Sequence, residues 1–344
     1  MKLVIYDSNW PFYRPLLERC LRTSWSISSG AADLAWLLRE LPDADAMIGL
    51  TLPAAARFTA RRLRLFHFPG AGVLQSGADE YPSECELCNV YEHEIPIGEY
   101  VLMVVLMHAT GVLRFSARFR EGYWDGTGRA CGELHQEIYG KRLGLVGLGR
   151  IGQAIALRAQ PLGLQVEAIR KNPRAPLPPE IEATLSAVGG PEDLCGLLAR
   201  SDFVVITCPL NEETRAWIGT QELAHMPPHS LLVNVARAEI IQEEPLYRAL
   251  ERNQISAALD VWYRYPDTVD KPFHGSRFPF HQLPNVIATP HLSAWTSRMV
   301  ERRMLRIAEN LDRLYRNQPR ERVVLTGTWK PLSPGRDSSG NRNY

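Results

Sequence analysis

Residues 143–152 read Leu-Gly-Leu-Val-Gly-Leu-Gly-Arg-Ile-Gly, and they join an apolar run typical of a buried strand to a glycine-rich turn. Residues 153–159 continue with the composition of a helix. In G-x-G-x-x-G after a strand, the first glycine permits a tight turn, the second lets a pyrophosphate approach the backbone, and the third lets the helix pack closely. The free N–H groups of the helix then face the phosphates. The stretch predicts a dinucleotide site that includes Gly147, Gly149, Arg150, Ile151 and Gly152.

Length and charge narrow the class of protein. A chain of 344 residues with 45% hydrophobic residues predicts about two domains. A net charge of +1, from 39 basic and 38 acidic residues, provides no overall field for nucleic acid or an anionic membrane. Residues 1–10 lack the apolar core of a signal peptide, and we find no apolar run long enough to span a bilayer. We expect a soluble, cytoplasmic protein without nucleic-acid or membrane partners.

The six cysteines are too sparse for a disulfide scaffold, so we expect reduced thiols. Cys85 and Cys88 have C-x-x-C spacing, but no second pair or nearby Cys/His cluster completes a zinc site. A strand or strand end is the favoured interpretation of this pair. No metal is expected.

Apolar strand candidates alternate with helical segments, which predicts an α/β protein with two Rossmann-like, doubly wound domains. We place strands at residues 2–6, 46–50, 63–68, 164–169, 203–207, 231–234, 256–259 and 286–288. Residues 96–120 are compatible with one long helix that could link the domains. Residues 264–283 are rich in Pro, His and Phe and predict an irregular loop.

The residue that distinguishes NAD from NADP lies about 20 positions beyond the glycine turn, at the end of the second strand. Arg170 occupies this strand end, and Lys171 and Arg174 follow it. Guanidinium and ammonium groups can form charge-assisted bonds to a phosphate on the ribose 2′-oxygen. Glu167 is the nearest acid, three residues earlier. A solvated basic turn is the alternative, but the pattern favours NADP, with NAD as the second choice.

Three further segments carry polar residues at strand ends, where α/β sheets place their ligands. They are residues 233–239 (Val-Asn-Val-Ala-Arg-Ala-Glu), 257–262 (Ala-Ala-Leu-Asp-Val-Trp) and 288–295 (Ala-Thr-Pro-His-Leu-Ser-Ala-Trp). Together with the glycine turn, in this order, they resemble the D-isomer-specific 2-hydroxyacid dehydrogenase family, in particular its NADP-dependent glyoxylate/hydroxypyruvate reductase-like branch. Residues 68–73 (Phe-Pro-Gly-Ala-Gly-Val) and 207–214 (Thr-Cys-Pro-Leu-Asn-Glu-Glu-Thr) are also similar to family blocks, so the resemblance covers nearly the whole chain.

The resemblance implies roles for individual residues. Arg237 would hold the substrate carboxylate and polarise the adjacent carbonyl, because a guanidinium offers paired donors in one plane. His291 would exchange a proton with the carbonyl oxygen. Asp260 would contact the nicotinamide side of the site. The remaining implied residues are Gly70, Ala71, Gly72 and Val73 at the substrate and Cys208, Pro209, Thr214 and Val235 at the cofactor.

The same resemblance implies the domain arrangement. A discontinuous substrate domain, residues 1–97 and 291–326, would contain an inserted dinucleotide-binding domain, residues 98–290, with an interdomain cleft that closes during the reaction. The last helix, residues 297–317, would return to the first domain. Residues 327–344 are polar and rich in Gly, Ser, Asn and Pro, and we expect them to be disordered. A homodimer is implied by the resemblance alone.

One position departs from the family pattern. The family usually places a glutamate five residues after the aspartate, where it orients the catalytic histidine, and this chain has Tyr265 there. A neutral hydroxyl can bond the imidazole, but it supports the protonated ring less than a carboxylate would. Asp267, Glu92 and Glu94 are alternative sources of that carboxylate. Tyr265 therefore joins Arg237 and His291 as the expected catalytic set.

The sequence favours a reductase that uses NADP(H) to interconvert small 2-oxo acids and D-2-hydroxy acids. Formate dehydrogenases of the same superfamily also lack the glutamate, so oxidation of a simple formate- or phosphite-like anion is the alternative enzymatic reading. A third reading comes from family members that act as dinucleotide-sensing corepressor-like binding proteins, since fold alone does not decide function.

Overall fold

The computed structural model describes residues 1–30, 33–71, 77–124, 134–266 and 271–329. The chain divides into two compact units, Met1–Glu92 with Thr296–Tyr344, and His93–Trp295. The expected divisions at 97/98 and 290/291 lie a few residues away from these limits. The buried apolar side chains of the helix that begins at Glu94 belong to the core of the second unit, which moves the first division towards the N-terminus.

Thirteen strands lie within the described residues. They are β1 Lys2–Tyr6, β2 Ser26–Gly30, β3 Ala46–Gly49, β4 Leu65–His67, β5 Glu86–Cys88, β6 Arg142–Val146, β7 Gln165–Ile169, β8 Leu185–Gly189, β9 Phe203–Ile206, β10 Leu231–Asn234, β11 Ser256–Leu259, β12 Val286–Ala288 and β13 Val323–Thr326.

The same part of the chain contains eleven α-helices. They are α1 Trp10–Cys20, α2 Leu34–Glu40, α3 Ala54–Arg57, α4 Glu94–Thr110, α5 Val112–Arg120, α6 Arg150–Ala159, α7 Pro179–Glu182, α8 Leu194–Arg200, α9 Thr220–His225, α10 Glu243–Glu251 and α11 Ser297–Tyr315.

The first unit is built on a six-stranded sheet with the order β13-β5-β4-β3-β1-β2. The strands run parallel except β13, which is antiparallel to β5. Successive side chains of β1 point to opposite faces, so Leu3 packs against α11 while Val4 packs against α2. Both faces of the sheet are therefore covered, as parallel strands require.

The second unit contains a seven-stranded, fully parallel sheet with the order β12-β11-β10-β9-β6-β7-β8. The chain enters the sheet at the interior strand β6, proceeds outward to the edge strand β8, and then continues from β9 in the opposite direction. This confirms the predicted doubly wound fold. The order reverses between β6 and β9, and such a switch point is where open α/β sheets bind ligands.

The sequence prediction missed three strands, each of which lies at the edge of its sheet and is partly or mostly exposed. β2 reads Ser-Ile-Ser-Ser-Gly. The side chains of β8 are half-buried or exposed, and those of β13 are mostly exposed. The strand interpretation at Cys85 and Cys88 is confirmed by β5. Five described cysteines are free thiols, and the sixth, Cys131, lies outside the described residues.

The predicted single helix over residues 96–120 is wrong, because the chain breaks at Gly111. This glycine has φ +63°, a left-handed conformation that ends α4 and precedes α5. No single helix of the described chain is long and apolar enough to cross a membrane. α4 and α5 together have the length and apolar composition of a span, but the two helices are bent by 60° relative to each other.

The tail was expected to be disordered from residue 327, and its first three residues contradict this. The N–H groups of Gly327 and Thr328 donate to the carbonyls of Cys85 and Ala78, each at 2.8 Å. The Trp329 ring packs edge-on against Phe58 with centroids 5.4 Å apart. An aromatic residue thus anchors the start of a segment whose composition alone predicts disorder. Residues 330–344 lie outside the described part of the chain.

Candidate functional site

The glycine turn after β6 has room for a ligand at one position only. Gly147 has φ +110°, and a Cβ there would lie 2.6 Å from the backbone nitrogen of Cys208. A Cβ on Gly152 would lie 2.5 Å from the carbonyl oxygen of Gly147. A Cβ on Gly149, the residue before α6, would meet no atom within 4 Å. The turn therefore leaves open space at the N-terminus of α6, which fits the pyrophosphate of a dinucleotide.

A hydroxyl on the neighbouring strand holds this turn. Thr207 follows β9 directly, and its Oγ1 donates to the carbonyl of Gly147 at 2.7 Å. The loop that continues from Thr207 carries Cys208 and Pro209 and closes on Thr214, whose Oγ1 donates to the Pro209 carbonyl at 2.7 Å. Thr207 was not predicted as a site residue, although a hydroxyl directly after a strand at the switch point was a usable signal. Val235, the other residue expected at the cofactor, is buried just after β10.

The end of β7 presents an arginine and no available acid. Glu167, on the strand, forms an ion pair with Arg200, so its carboxylate is already committed. Arg170 donates from Nη1 to the carbonyl of Ala175 at 3.3 Å and has no carboxylate partner among the described residues. Lys171 is paired through Nζ with both carboxylate oxygens of Glu213, at 2.7 Å each. The strand end therefore has net positive character.

Arg237 follows β10 in a turn that is locked by Asn234. The Asn234 side chain accepts from the Ala236 N–H at 3.0 Å and donates to the Arg237 carbonyl at 3.0 Å. Arg237 is exposed while its neighbours from Leu231 to Ala238 are buried. Its Nη1 donates to the Ala236 carbonyl at 2.6 Å, and no carboxylate of the described chain pairs with it. The turn thus offers a guanidinium with free donors.

Asp260 organises the loop that carries His291. Its side chain is fully buried and accepts from Thr289 Oγ1 at 2.6 Å, from the Leu292 N–H at 2.8 Å and from the Ser293 N–H at 2.9 Å. The structure therefore directs this carboxylate into the protein, not towards an open surface. A direct contact between Asp260 and a cofactor stays a prediction.

Tyr100 and Thr289, which the sequence did not single out, complete this network. Because the Thr289 hydroxyl already donates its hydrogen bond to Asp260, the Tyr100 hydroxyl is the donor in the 2.8 Å hydrogen bond between Tyr100 and Thr289 Oγ1. Burial raises the pKa of Tyr100 to about 12, which keeps it a donor. The Trp262 indole N–H donates to the Thr289 carbonyl at 2.9 Å. Tyr100 lies on α4, and its sequence distance of 189 residues from Thr289 hid the contact.

His291 and Tyr265 form a direct pair. The Tyr265 hydroxyl lies 2.9 Å from His291 Nδ1, and His291 has φ +58°, a strained conformation for a residue with a side chain. Burial lowers the pKa of His291, and Arg237 lowers it further while Asp260 opposes both. The field of Arg237 also lowers the pKa of Tyr265, although burial raises it overall. Arg237 therefore acts electrostatically on both members of the Tyr265–His291 pair.

The three alternative carboxylates differ in their surroundings. In the first unit, Glu92 forms ion pairs with Arg302, Arg306 and Arg322 at 3.2, 3.5 and 3.8 Å, which neutralise the charge it could lend. Glu94, at the start of α4, lies 3.8 Å from the Nδ1 atom of its neighbour His93. Asp267 lies outside the described residues.

The predicted substrate loop belongs to the first unit. The carbonyl of Gly70 accepts from the Val90 N–H at 2.9 Å, and the carbonyl of Ala71 accepts from Asn89 Nδ2 at 3.2 Å. Asn89 is buried, and its Oδ1 has no hydrogen-bond partner among the described atoms. Gly72 and Val73 lie outside the described residues.

A family model described as the NAD binding domain of D-isomer specific 2-hydroxyacid dehydrogenases matches residues 102–293, which is more than half of the chain. The chain belongs to this family. Its matched region contains the glycine turn, Arg237, Asp260 and His291, which are the parts of the second unit described above.

Named relatives agree with this assignment. The D-3-phosphoglycerate dehydrogenase of Methanocaldococcus jannaschii is 31% identical over 295 residues, which cover 84% of this chain and 53% of that protein. The glyoxylate/hydroxypyruvate reductase B of Pectobacterium atrosepticum is 35% identical over 201 residues, 58% of this chain and 59% of that protein. The matches therefore span little more than half the length of these two relatives.

A solved structure extends the likeness to nearly the whole chain. The D-isomer specific 2-hydroxyacid dehydrogenase of Xanthobacter autotrophicus Py2, in complex with NADPH and MES, superposes with a TM-score of 0.73 at 26% identity. The match covers 94% of this chain and 98% of that chain.

Proposed function

We propose that this protein is an NADP(H)-dependent reductase of small 2-oxo acids, which it interconverts with D-2-hydroxy acids. The observation that carries the proposal is the presence of Arg237, without a carboxylate partner in the described chain, and the Tyr265–His291 pair at the same sheet edge as the open glycine turn. An anion-binding guanidinium, a proton-exchanging imidazole and a dinucleotide cradle are the parts that carbonyl reduction needs. The names of the reductase relatives support the same substrate class.

The chain's own residues would divide the work as follows. Arg237 would bind the substrate carboxylate and place the neighbouring carbonyl, and its charge would stabilise developing negative charge on the carbonyl oxygen. His291 would give a proton to that oxygen in reduction and take it back in oxidation. Asp260 would keep His291 in position through Leu292 and Ser293. NADP(H), when bound at the glycine turn, supplies or accepts the hydride.

The preference for NADP within this proposal rests on the end of β7. Arg170 stands where a ribose-binding acid would be needed for NAD, and the nearest acid on the strand, Glu167, is paired with Arg200. The relative that was solved with NADPH supports this choice. Use of NADH by this protein is the competing possibility, since other proteins of the same fold were solved with NAD.

An activity matrix tests the proposal. We expect the purified chain to oxidise NADPH with glyoxylate, hydroxypyruvate or a related 2-oxo acid, more efficiently than NADH. His291→Ala and Arg237→Ala should each lower kcat/KM by at least about a hundredfold, which is the usual range for lost proton transfer or charge stabilisation. An absence of turnover with any 2-oxo acid would contradict the proposal. Dinucleotide-dependent binding of a protein partner would then favour the hypothesis of a dinucleotide-sensing, corepressor-like binding protein.

A second candidate function has one observation in its favour. Among the described residues, His291 Nδ1 has a tyrosine and no carboxylate as its hydrogen-bond partner. Oxidation of a formate- or phosphite-like anion places less demand on a protonated histidine. NADP⁺ reduction by formate or phosphite that survives His291→Ala better than 2-oxo acid reduction does would select this candidate.

We also propose that the protein forms a homodimer. Helices α4 and α5 expose a series of large apolar side chains in the second unit, and exposed patches of this kind commonly mark protein interfaces. They are Met103, Leu106, Val112, Leu113 and Phe119. A second copy of the chain is the partner that the family resemblance implies.

A further inference from the structure

The position of the Tyr265 hydroxyl is set by its own turn. The Trp262 N–H, three residues earlier, donates to Tyr265 Oη at 3.3 Å, and the same oxygen lies 2.9 Å from His291 Nδ1. Pro266 follows and restricts the backbone of Tyr265 to extended conformations. The hydroxyl is therefore positioned by local structure and does not depend on a bound ligand.

The groups around the Tyr265 hydroxyl favour one direction for its bond to His291, from the hydroxyl to the ring. A tyrosine hydroxyl has one proton and two acceptor lone pairs, and the Trp262 N–H already uses one lone pair. That donation polarises the O–H bond and makes it a better donor. Burial raises the pKa of Tyr265, so the phenol keeps its proton at neutral pH. Nδ1 of neutral His291 is the acceptor that lies within reach of this proton.

We propose that Tyr265 is a positioning residue whose hydroxyl donates to His291 Nδ1 and thereby holds the neutral imidazole in the tautomer protonated at Nε2. A glutamate would have the opposite effect, because a carboxylate can only accept and would select the proton on Nδ1. The resting site would then direct an uncharged N–H donor from Nε2. Ordering the ring in this way needs no ion pair.

The consequence for catalysis rests on the proposed 2-oxo acid reduction. Transfer of a full proton requires the ring to gain a second proton from solvent water at Nδ1, while the Tyr265 hydroxyl rotates to accept the new N–H. The Nε2–H bond then breaks as the product O–H bond forms, which leaves a neutral ring protonated at Nδ1. Proton exchange with solvent returns this ring to the Nε2 tautomer. Among the described residues, the charged groups that act on His291 are Asp260, which favours the charged ring, and Arg237, which opposes it. The Tyr265 hydroxyl is the titratable group in direct contact with the ring. Reduction should therefore decline above a pH lower than the ordinary histidine value of about 6.5.

The tautomer can be read directly by NMR. We would label the histidine rings of the full chain with ¹⁵N, assign His291 among the nine histidines through His291→Asn, and record the ring nitrogens above the pKa. Wild type should show the proton on Nε2, and Tyr265→Phe should show a mixture of both tautomers. Tyr265→Glu should move the proton to Nδ1 and raise the pKa of His291 by about 1 to 3 units, the effect of a close opposite charge. Tyr263→Phe, which removes a hydroxyl bonded to the Ile241 carbonyl, is the matched control and should resemble wild type.

Two results would overturn the inference. One is a wild-type ring protonated at Nδ1 when neutral, and the other is an unchanged tautomer in Tyr265→Phe. The pH profile of kcat/KM for reduction provides a second test, since its alkaline limb should move upward in Tyr265→Glu and stay in place in Tyr263→Phe. The NMR measurement needs no turnover, so failure of the proposed 2-oxo acid reduction is distinguishable from failure of the tautomer assignment.

Discussion

The carbonyl oxygen of Gly147 lies only 2.5 Å from the position that a Cβ at residue 152 would occupy, so Gly152 cannot be replaced without a clash. The obstacle is backbone, which cannot move aside without opening the turn that joins β6 to α6. The same turn leaves position 149 free of neighbours within 4 Å. Gly152 is therefore required by the packing of the turn, whereas Gly149 leaves open space at which we propose that a ligand approaches.

Alanine at these two positions should separate stability from cofactor binding. Gly152→Ala should lower the free energy of unfolding by about 1–3 kcal/mol, the usual cost of overpacking, and should weaken NADPH binding as a consequence. Gly149→Ala should unfold like wild type, because φ at this position is −78° and the added methyl meets no protein atom. Its affinity for NADPH should still fall at least about tenfold. Urea unfolding and fluorescence titration measure the two effects, and normal NADPH affinity in a stable Gly149→Ala would contradict the assignment of the cradle.

Reversing the charge at the end of β7 should change the choice of cofactor. Arg170→Asp should weaken NADPH binding about tenfold or more, because a charge-assisted bond of roughly 1.5–3 kcal/mol is lost. NADH binding should hold or improve, since a carboxylate accepts from both ribose hydroxyls. Arg252→Asp, after α10, makes the same change in net charge and should leave both affinities unaltered. Equal losses for NADH and NADPH in Arg170→Asp would argue against a 2′-phosphate site.

Glu213 should act against NADP. Its carboxylate holds Lys171 at 2.7 Å, and a 2′-phosphate would have to compete for that ammonium group. Both side chains are largely exposed, so the pair contributes at most about 1 kcal/mol, and Glu213→Gln should tighten NADPH binding up to about fivefold. The gain should fade at high salt, and Glu212→Gln in the same loop should show none. Weaker NADH binding in Glu213→Gln would mean instead that this carboxylate accepts hydrogen bonds from the ribose hydroxyls of NADH.

The sequence was most informative where function depends on neighbours along the chain. Gly147, Gly149 and Gly152 lie within six residues, and their spacing alone states the geometry that the structure gives them. Arg237 and His291 stay predictions as site residues, and the structure places each shortly after a strand, as their sequence blocks indicate. The doubly wound order followed from the alternation of strands and helices.

The sequence could not predict the hydrogen bonds between residues that lie far apart along the chain. Thr207 bonds Gly147 over 60 residues, and Tyr100 bonds Thr289 over 189. The bonds from Asp260 to Thr289, Leu292 and Ser293 could not be predicted either, because its position after a strand does not show which way a buried carboxylate turns. The edge strand β2 depends on pairing with β1, a contact that no local pattern of Ser and Gly residues announces.

The exposed surface of α4 and α5 makes a prediction about assembly. Wild type should elute with twice the chain mass of 38.8 kDa in light-scattering chromatography. Leu113→Glu and Phe119→Glu should each place a charge on the apolar surface and shift the protein towards 38.8 kDa, whereas Phe12→Glu on α1 should not. A monomeric wild type would remove the basis for the homodimer.

Neutralising Asp260 should loosen the His291 loop. An asparagine at this position presents an NH₂ group to the Ser293 N–H or to the donors on the other oxygen, so at least one buried donor loses its acceptor. Leaving such a group unsatisfied costs about 1–3 kcal/mol. We expect Asp260→Asn to lower the free energy of unfolding by this amount and kcat by about tenfold or more, because His291 has φ +58° and its position depends on the loop. Asp202→Asn, a part-exposed carboxylate paired with Lys141, is the control and should change kcat little. A stable Asp260→Asn with unchanged kcat but much weaker NADPH binding would show that this carboxylate faces the cofactor after all.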